Sequence, residues 1–228
     1  MVLSKRLAAI ADMVEPCDTV TDVGCDHGYL SIWLLEQGIC SMAIASDIRK
    51  GPLECAKKNR DEHGIGGDRM KLISSDGLKD IDIPDISGNN TLIIAGMGGE
   101  NMIDILSFDK EKAHAYKKYI FSPHTKLPEF RKYLDREGYY ISDEKYVFDT
   151  ERMYTVIKAE NGKANELNET DYLLGPYIKT AVLDRKVRNE LEKRYKAIMK
   201  LASGNDLPEE KMSELKKEIK IYEEVLRK

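Results

Sequence analysis

The sequence has no long hydrophobic run, and this absence argues against a membrane protein. No stretch of the 228 residues approaches the roughly 18 consecutive apolar residues that a membrane-spanning helix requires. The N-terminal segment spaces its apolar residues helically and has no continuous apolar core followed by a small-residue cleavage site, so we do not expect a signal peptide. We therefore expect no membrane partner.

Cysteine and histidine are scarce, and neither has the spacing of a metal site. The four cysteines form no Cys-x-x-Cys pair, which argues against a disulfide framework and a cysteine zinc site and fits a reduced, cytoplasmic environment. The four histidines have no His-x-His or His-x-x-x-His spacing, so we expect no metal.

Charge is unevenly distributed along a chain whose net charge is −4. From position 161 onward, 15 Lys and Arg stand against 13 Asp and Glu, whereas the preceding 160 residues have 21 against 27. The acidic total argues against a uniformly basic protein, but it allows a local basic surface in the tail.

Short apolar runs alternate with helical patterns through the first 160 residues. The runs predict buried strands at 19–23, 41–46, 70–74, 91–95 and 118–122, and the segments between them predict helices at 28–38, 51–63, 99–107 and 126–137. This alternation is typical of an α/β fold with a parallel sheet covered on both faces. Two further runs, YYISDEKYVF and MYTVIKA, predict an antiparallel hairpin that turns across 149–152.

The pattern becomes wholly helical from about residue 170. A linker over 202–205 is followed by Asp206, which we expect to cap a helix with Pro208 just inside its first turn. That helix has a narrow apolar seam, formed by Met212, Leu215, Ile219, Tyr222 and Leu226. We predict a C-terminal coiled-coil hairpin of two antiparallel helices, and two domains, 1–160 and 161–228.

The most informative segment is DVGCDHGYL at 22–30, where the first strand turns into a helix. A dinucleotide fingerprint needs glycine at its first, third and sixth positions, but from Gly24 the third and sixth are Asp26 and Tyr29, which disfavours NAD and FAD. Gly24 and Gly28 let the backbone approach a ligand closely, while the Asp26 carboxylate would repel a pyrophosphate and attract a cation. S-adenosylmethionine has no phosphate and carries a sulfonium and an ammonium, so this turn suits it.

The next three strands also end in polar or glycine-rich turns, which the fold places at the same sheet edge. Asp47 could accept hydrogen bonds from both ribose hydroxyls, Asp76 could bond the adenine amino group, and the turn at 95–99 leaves room for a flat substrate. The predicted cofactor-binding residues are Asp22, Gly24, Asp26, His27, Gly28, Asp47, Ile48, Ser75, Asp76, Gly77, Ala95, Gly96, Met97 and Gly98.

Plainer interpretations exist for each of these features. The glycines at 24 and 28 could simply form a tight turn, Asp47 could cap a helix before Pro52, and His27 could be a surface residue. The basic run in the tail could be a solvated helix face.

Several segments together resemble one known family. SKRLAAIADMV, DVGCDHGYL, the Asp47 turn, KKNRDEHG, SDGL, IIAGMGG and the helical tail are similar to the bacterial tRNA (adenine-22-N1)-methyltransferases over essentially the whole chain. The resemblance implies the Rossmann-like sheet of a class I methyltransferase and transfer of a methyl group from S-adenosylmethionine to N1 of adenine 22 in tRNA. The sequence departs from the family after the fifth strand, where a Gln-Pro pair is usual and 121–124 reads FSPH.

The chemistry implied by the resemblance gives individual residues roles. Ring N1 of adenine has an in-plane lone pair and needs no deprotonation, so alignment can supply most of the catalysis. Asp26 is the candidate catalytic residue, stabilising the cationic product, or it only bonds the cofactor. The predicted tRNA contacts are Lys5, Arg6, Tyr29, Arg185, Lys186 and Arg188.

Other functions stay open at this point. The chain could be an S-adenosylmethionine-dependent methyltransferase that acts on another RNA base, a small molecule or a protein. It could also be a non-catalytic scaffold whose helical hairpin binds a partner. We expect a cytoplasmic monomer or weak dimer.

Overall fold

A seven-stranded sheet organises the first of the two units into which the chain divides, Met1–Asn165 and Glu166–Lys228. The computed structural model describes residues 1–82, 88–162, 167–204 and 207–227. The strands are β1 Cys17–Val23, β2 Cys40–Asp47, β3 Met70–Ser74, β4 Asn90–Ala95, β5 Lys118–Ser122, β6 Tyr139–Asp149 and β7 Arg152–Asn161. Their order is β3-β2-β1-β4-β5-β7-β6, in which β1 to β5 run parallel and β7 pairs antiparallel with β5 and β6. The predicted parallel sheet with a terminal hairpin is confirmed.

Helices accompany the strands in this unit. Their bounds are α1 Lys5–Ala11, α2 Tyr29–Glu36, α3 Lys50–Glu62, α4 Gly99–Phe108, α5 Lys110–His114 and α6 Leu127–Arg136. The helix α5 was not predicted, because five residues are too few to show a helical period. Its first turn is stabilised by Asp109, whose carboxylate accepts a hydrogen bond from the backbone N–H of Lys112 at 2.9 Å.

The strand order reverses beside β1, and this reversal positions the site. The chain builds outward from β1 through β2 to β3, then returns to place β4 on the other side of β1. Central side chains such as Val20, Ile93 and Ile120 are at most 1 % exposed, as expected for strands covered on both faces. In such sheets ligands bind outside the carboxyl ends of the strands at the reversal, here between β1 and β4.

The hairpin turn is tighter than the sequence predicts. Asp149 pairs with Arg152 in the ladder, so only Thr150 and Glu151 form the turn, with Thr150 at φ +57°. Behind the hairpin, the Nε of Arg131 on α6 donates to Glu144 of β6 at 2.7 Å, and both side chains are at most 1 % exposed. This buried ion pair ties α6 to the edge of the sheet.

The second unit contains four helices in its described part, not two. Short helices α7 Glu169–Leu174 and α8 Ile178–Ala181 precede α9 Arg185–Ala202 and α10 Glu209–Leu226. The predicted helical hairpin corresponds to α9 and α10. Arg188 on α9 bonds the Leu226 carbonyl and Tyr195 bonds Glu223, so the two helices run antiparallel. The two short helices escaped prediction because each spans fewer than two turns.

Two details of the predicted tail differ in the structure. Pro208 occupies the N-cap position and α10 begins at Glu209, so the proline precedes the helix; the predicted cap at Asp206 lies outside the described residues. The apolar seam ends on Val225, which is 2 % exposed, while Leu226 is half-buried. Val225 and Leu226 follow Tyr222 by three and four residues, so both lie on the same helix face as Tyr222. An unstrained helix drifts from a strict seven-residue repeat, and this drift turns Val225 inward at the end of the seam.

Candidate functional site

The turn from β1 into α2 is held in a backbone conformation that favours glycine. Gly24 has φ +76° and Gly28 has φ +73°, and the N–H groups of Gly24 and Cys25 both donate to the Ser46 carbonyl at the end of β2. Between the glycines, Asp26 has φ +52°, an uncommon conformation that aspartate tolerates better than most residues. The two glycines therefore do form a tight turn. The same turn also holds the exposed Asp26 carboxylate on a left-handed backbone.

Asp22 lies beneath this turn, at the end of β1. It is 5 % exposed and accepts a hydrogen bond from the Ser31 hydroxyl of α2 at 2.9 Å. Burial raises the pKa of the Asp22 carboxyl to about 6, against the smaller lowering effects of Ser31 and the Arg6 charge. The carboxylate thus joins β1 to α2 and places negative charge below the turn.

Asp47 ends β2 and is buried, with 4 % of its surface exposed. One carboxylate oxygen accepts from the backbone N–H of Arg49 at 2.9 Å and from its Nε at 3.2 Å, and the other lies 3.4 Å from its Nη2. The helix α3 begins after Arg49, which has no capping side chain, so the interpretation of Asp47 as a helix cap is wrong. Arg49 was missed, although a cation two residues from a buried acid is a signal that could have been used.

The turns after β3 and β4 complete this edge. The buried hydroxyl of Ser75 donates to the Gly77 carbonyl at 3.0 Å and accepts from the Asp80 N–H at 3.1 Å, while Asp76 is exposed and pairs with Lys79. After β4, Gly96 has φ +82° and donates to the Ser122 carbonyl.

A cleft of about 510 Å³ opens between these turns, within the range of small-molecule sites. It brings together most of the predicted cofactor residues: Gly24, Asp47, Ile48, Ser75, Asp76, Gly77, Ala95, Gly96 and Met97. The other lining residues, which the sequence did not indicate, are Val23, Arg49, Asn101, Asp104 and Ile105. Three of them lie on the first turns of α4 at helical spacing, directly after the glycine-rich turn, which is the signal that could have found them.

A smaller pocket adjoins this cleft and shares Gly24 and Ala95 with it. It is lined by Arg6, Leu7, Asp22, Gly24, Cys25, Asp26, His27, Tyr29, Leu30 and Ala95. Asp26 lies 3.6 Å from the His27 ring nitrogen and 4.0 Å from the Arg49 guanidinium. The carboxylates around the two cavities suit a cationic ligand more than a phosphate.

Some predicted site residues lie elsewhere. Gly28 and Gly98 are the N-cap residues of α2 and α4 and do not line either cavity, and Lys5 is exposed on α1. In the second unit, Arg185 and Lys186 are exposed, whereas Arg188 bonds Glu192 and the Leu226 carbonyl.

The described residues also bear on whether the chain has membrane-spanning helices or metal sites. None of the helices in that part of the chain combines the length and the apolar character needed to cross a bilayer. The same residues contain no group of three or more His, Cys, Asp and Glu side chains arranged to hold a metal ion.

Comparison with known proteins agrees with this geometry. The chain is 27 % identical to the tRNA (adenine(22)-N(1))-methyltransferase of Bacillus subtilis, over 98 % of this chain and 97 % of that protein. The crystal structure of the B. subtilis M1A22 tRNA methyltransferase superposes with a TM-score of 0.86 at 25 % identity, covering 99 % of both chains. A Streptococcus pneumoniae protein crystallised with S-adenosyl-L-methionine superposes with a TM-score of 0.87 at 27 % identity, covering 99 % of this chain and 100 % of that one.

These findings confirm the Rossmann-like fold and the resemblance that the motifs indicate. A family model described as a methyltransferase domain matches residues 3–157, which is more than half of the chain and contains both cavities. The chain belongs to this family of methyltransferase domains.

Proposed function

We propose that this methyltransferase transfers a methyl group from S-adenosylmethionine to N1 of adenine 22 in tRNA. The observation that carries the proposal is the likeness to the B. subtilis tRNA (adenine(22)-N(1))-methyltransferase along nearly the full length of both chains, including the helical tail. The acidic cleft at the β1–β4 reversal supports the proposal. It presents carboxylates at the place where a dinucleotide site would bind a negatively charged pyrophosphate.

The cleft has groups for each part of the cofactor. In this proposal the Asp47 carboxylate accepts hydrogen bonds from the two ribose hydroxyls, and these replace its side-chain bonds to Arg49. That replacement is easy because the Arg49 side chain is 67 % exposed and loses little when it turns into water. Ile48 and Ile105 offer apolar surface for the adenine ring of the cofactor, and the Ile48 side chain is 63 % exposed. Asp76, in the same cleft, is a partner for the amino group of that ring.

The protein has little proton chemistry to do in this reaction. When bound, S-adenosylmethionine supplies an electrophilic methyl group on a sulfonium. The chain's part is to hold the target N1 in line with that methyl group, and alignment of this kind can lower a barrier by several kcal/mol. Methylation leaves a positive charge on the base, and we assign its stabilisation to Asp26, an exposed carboxylate that lines the smaller pocket.

Positive charge for the tRNA comes from both units. Arg6 and Tyr29 both line the smaller pocket, and Lys5 is exposed one residue before Arg6. Arg185 and Lys186 are exposed on the first turn of α9 and free to meet phosphates, while Arg188 would have to give up two internal bonds. Since N1 lies on the Watson–Crick edge, the target base must leave its stack or pair, at a cost of a few kcal/mol.

Methyl transfer to unmodified tRNA tests the proposal. Purified protein, labelled S-adenosylmethionine and a tRNA transcript with adenine at position 22 should give 1-methyladenine, located by primer extension. A transcript with guanine at position 22 should take up no label. Label in protein or metabolite fractions instead of tRNA would overturn the proposal, and absence of cofactor binding at millimolar concentration in calorimetry would favour a scaffold.

Matched variants test the assigned residues. Asp47→Ala should weaken cofactor binding about tenfold or more, because bonds between hydroxyls and a charged acceptor are lost. Glu54→Ala, an exposed acid on α3 outside both cavities, is the control and should leave binding unchanged. Asp26→Asn keeps a residue that tolerates the left-handed backbone but removes the charge, and it should lower turnover more than cofactor affinity.

A further inference from the structure

Two buried polar atoms without a hydrogen-bond partner belong to residues of the first unit that contact the same turn. They are Nη1 of Arg6 on α1 and Nε2 of His124 in the loop after β5. A Cβ placed on Gly96 would lie 3.5 Å from that Arg6 nitrogen, and the backbone N–H of His124 donates to the Met97 carbonyl at 2.9 Å. The Arg6 Nη1 therefore borders the glycine-rich turn that also lines the cleft, and His124 is joined to the same turn through its backbone.

Tyr154 of β7 joins these residues into one group. Its ring centre lies 5.7 Å from the Arg6 guanidinium, 5.3 Å from the Arg152 guanidinium and 5.5 Å from the His124 ring centre. Arg152 also donates to the backbone carbonyl of His124 at 2.8 Å, and the Arg6 backbone N–H donates to Asp149 at 3.2 Å. We call Arg6, His124, Arg152 and Tyr154 the Tyr154 cluster.

The imidazole of the Tyr154 cluster is suited to reading a base. Burial, followed by the charges of Arg6 and Arg152, lowers the pKa of His124 below its ordinary value, so the ring is neutral at pH 7. A neutral imidazole has one N–H donor and one lone pair, and so can bond the nitrogen groups on the edge of a purine. The guanidiniums beside it suit the sugar-phosphate backbone, and the Tyr154 ring holds them next to the imidazole through cation–π contacts.

We propose that His124 is a specificity-determining residue whose Nε2 hydrogen-bonds the Hoogsteen edge of the adenine that is methylated. This inference rests on the proposed function and names the group that recognises its substrate. The Watson–Crick edge must face the methyl donor in the cleft, which leaves N7 and the N6 amino group for a residue that does not line the cleft, such as His124. Because the Nε2 is buried, the imidazole must turn toward the bound base, and this bond then gives the atom the partner that it lacks in the free protein.

Substrate analogues at position 22 of the tRNA separate recognition from a structural role. Purine riboside lacks the N6 amino group and 7-deazaadenosine lacks N7, while both retain N1. The wild-type enzyme should lose about tenfold in kcat/KM on at least one of them, as expected for one hydrogen bond. His124→Phe should show a similar loss on adenosine and no further loss on that analogue.

The control is His114→Phe, a histidine that stacks on Tyr139 away from the cluster. It should keep the wild-type ratio between adenosine and each analogue, and His124→Phe should keep the cofactor affinity in calorimetry. If His124→Phe does not fold, His124→Gln, which keeps a side-chain donor and acceptor, replaces it and should keep part of the discrimination.

Three results would overturn the inference. They are a wild-type enzyme that treats both analogues like adenosine, a His124→Phe enzyme that retains full activity, and one that loses the same factor on all three bases. A wild-type protein that leaves adenine 22 unmethylated would refute the proposed function instead, so the two failures are distinguishable.

Discussion

The substitution Gly28→Ala is the sharpest test of how the β1–α2 turn is built, and Gly38→Ala is its matched control. Both glycines have left-handed backbones, with φ +73° and φ +67°, and they stand at opposite ends of α2. A Cβ on Gly28 would lie 3.0 Å from Cε of Met70 and 3.1 Å from Cβ of Ala56, whereas one on Gly38 would meet nothing within 4 Å. The pair thus separates backbone strain from packing.

The expected magnitudes follow from these contacts. Each substitution forces an alanine into the left-handed region, which costs about 1–2 kcal/mol. Only Gly28→Ala also overpacks its surroundings, at about 1–3 kcal/mol more. Relaxation is limited because Met70 and Ala56 are both fully buried. We therefore expect Gly28→Ala to lower the free energy of unfolding by about 1–3 kcal/mol more than Gly38→Ala.

Urea denaturation followed by tryptophan fluorescence measures this difference. The single tryptophan, Trp33, lies on α2 between the two glycines and reports on this part of the first unit. Equal destabilisation by the two substitutions would show that the space around Gly28 can adjust, and it would refute the argument that close packing of α2 against α3 and β3 requires a glycine there.

Three further predictions concern charge. The folded-state pKa of Asp22 is about 6, above its unfolded value, so the folded state binds a proton more readily than the unfolded state. The free energy of unfolding, measured by urea titration, should therefore rise by about 1 kcal/mol from pH 7 to pH 5. Asp22→Asn should abolish that rise. Glu144→Ala leaves the buried guanidinium of Arg131 without this partner and should cost about 3–5 kcal/mol in the same assay; a loss below 1 kcal/mol would contradict the burial of the pair. Reversing the charges of Arg185 and Lys186 should reduce the slope of log affinity for tRNA against log salt by about 0.7–0.9 for each lost phosphate contact, and an unchanged slope would make this face merely solvated.

The sequence predicts the strands better than any other feature. The bounds 70–74 and 118–122 agree with β3 and β5, because buried parallel strands are short, nearly continuous apolar runs that stand out from their polar flanks. The acidic and glycine-rich turns are also visible, since each directly follows such a run. Short helices such as α5 were missed because too few residues reveal a period.

The Tyr154 cluster shows the limit of reading a sequence locally. In the sequence, His124 belongs to a segment that departs from the family pattern, and Arg152 belongs to the predicted hairpin turn. Arg6, His124 and Tyr154 stand far apart in the chain, and no periodicity connects them. These residues come together because β7 lies between β5 and β6 in the sheet. The spacing of residues along the chain does not reveal this strand order.

The placement of β7 has a consequence for how the enzyme matures during synthesis. Because β7 runs antiparallel to β5, its first residues lie at the carboxyl end of β5, where the Ser122 hydroxyl bonds the Thr155 carbonyl at 3.1 Å. A nascent chain that ends before residue 139 would contain every lining residue of the cofactor cleft but not Arg152 or Tyr154. Synthesis thus adds Arg152 and Tyr154, half of the proposed base-reading cluster, after every residue that lines the cleft, so a growing polypeptide contains the cleft residues before it contains the complete cluster.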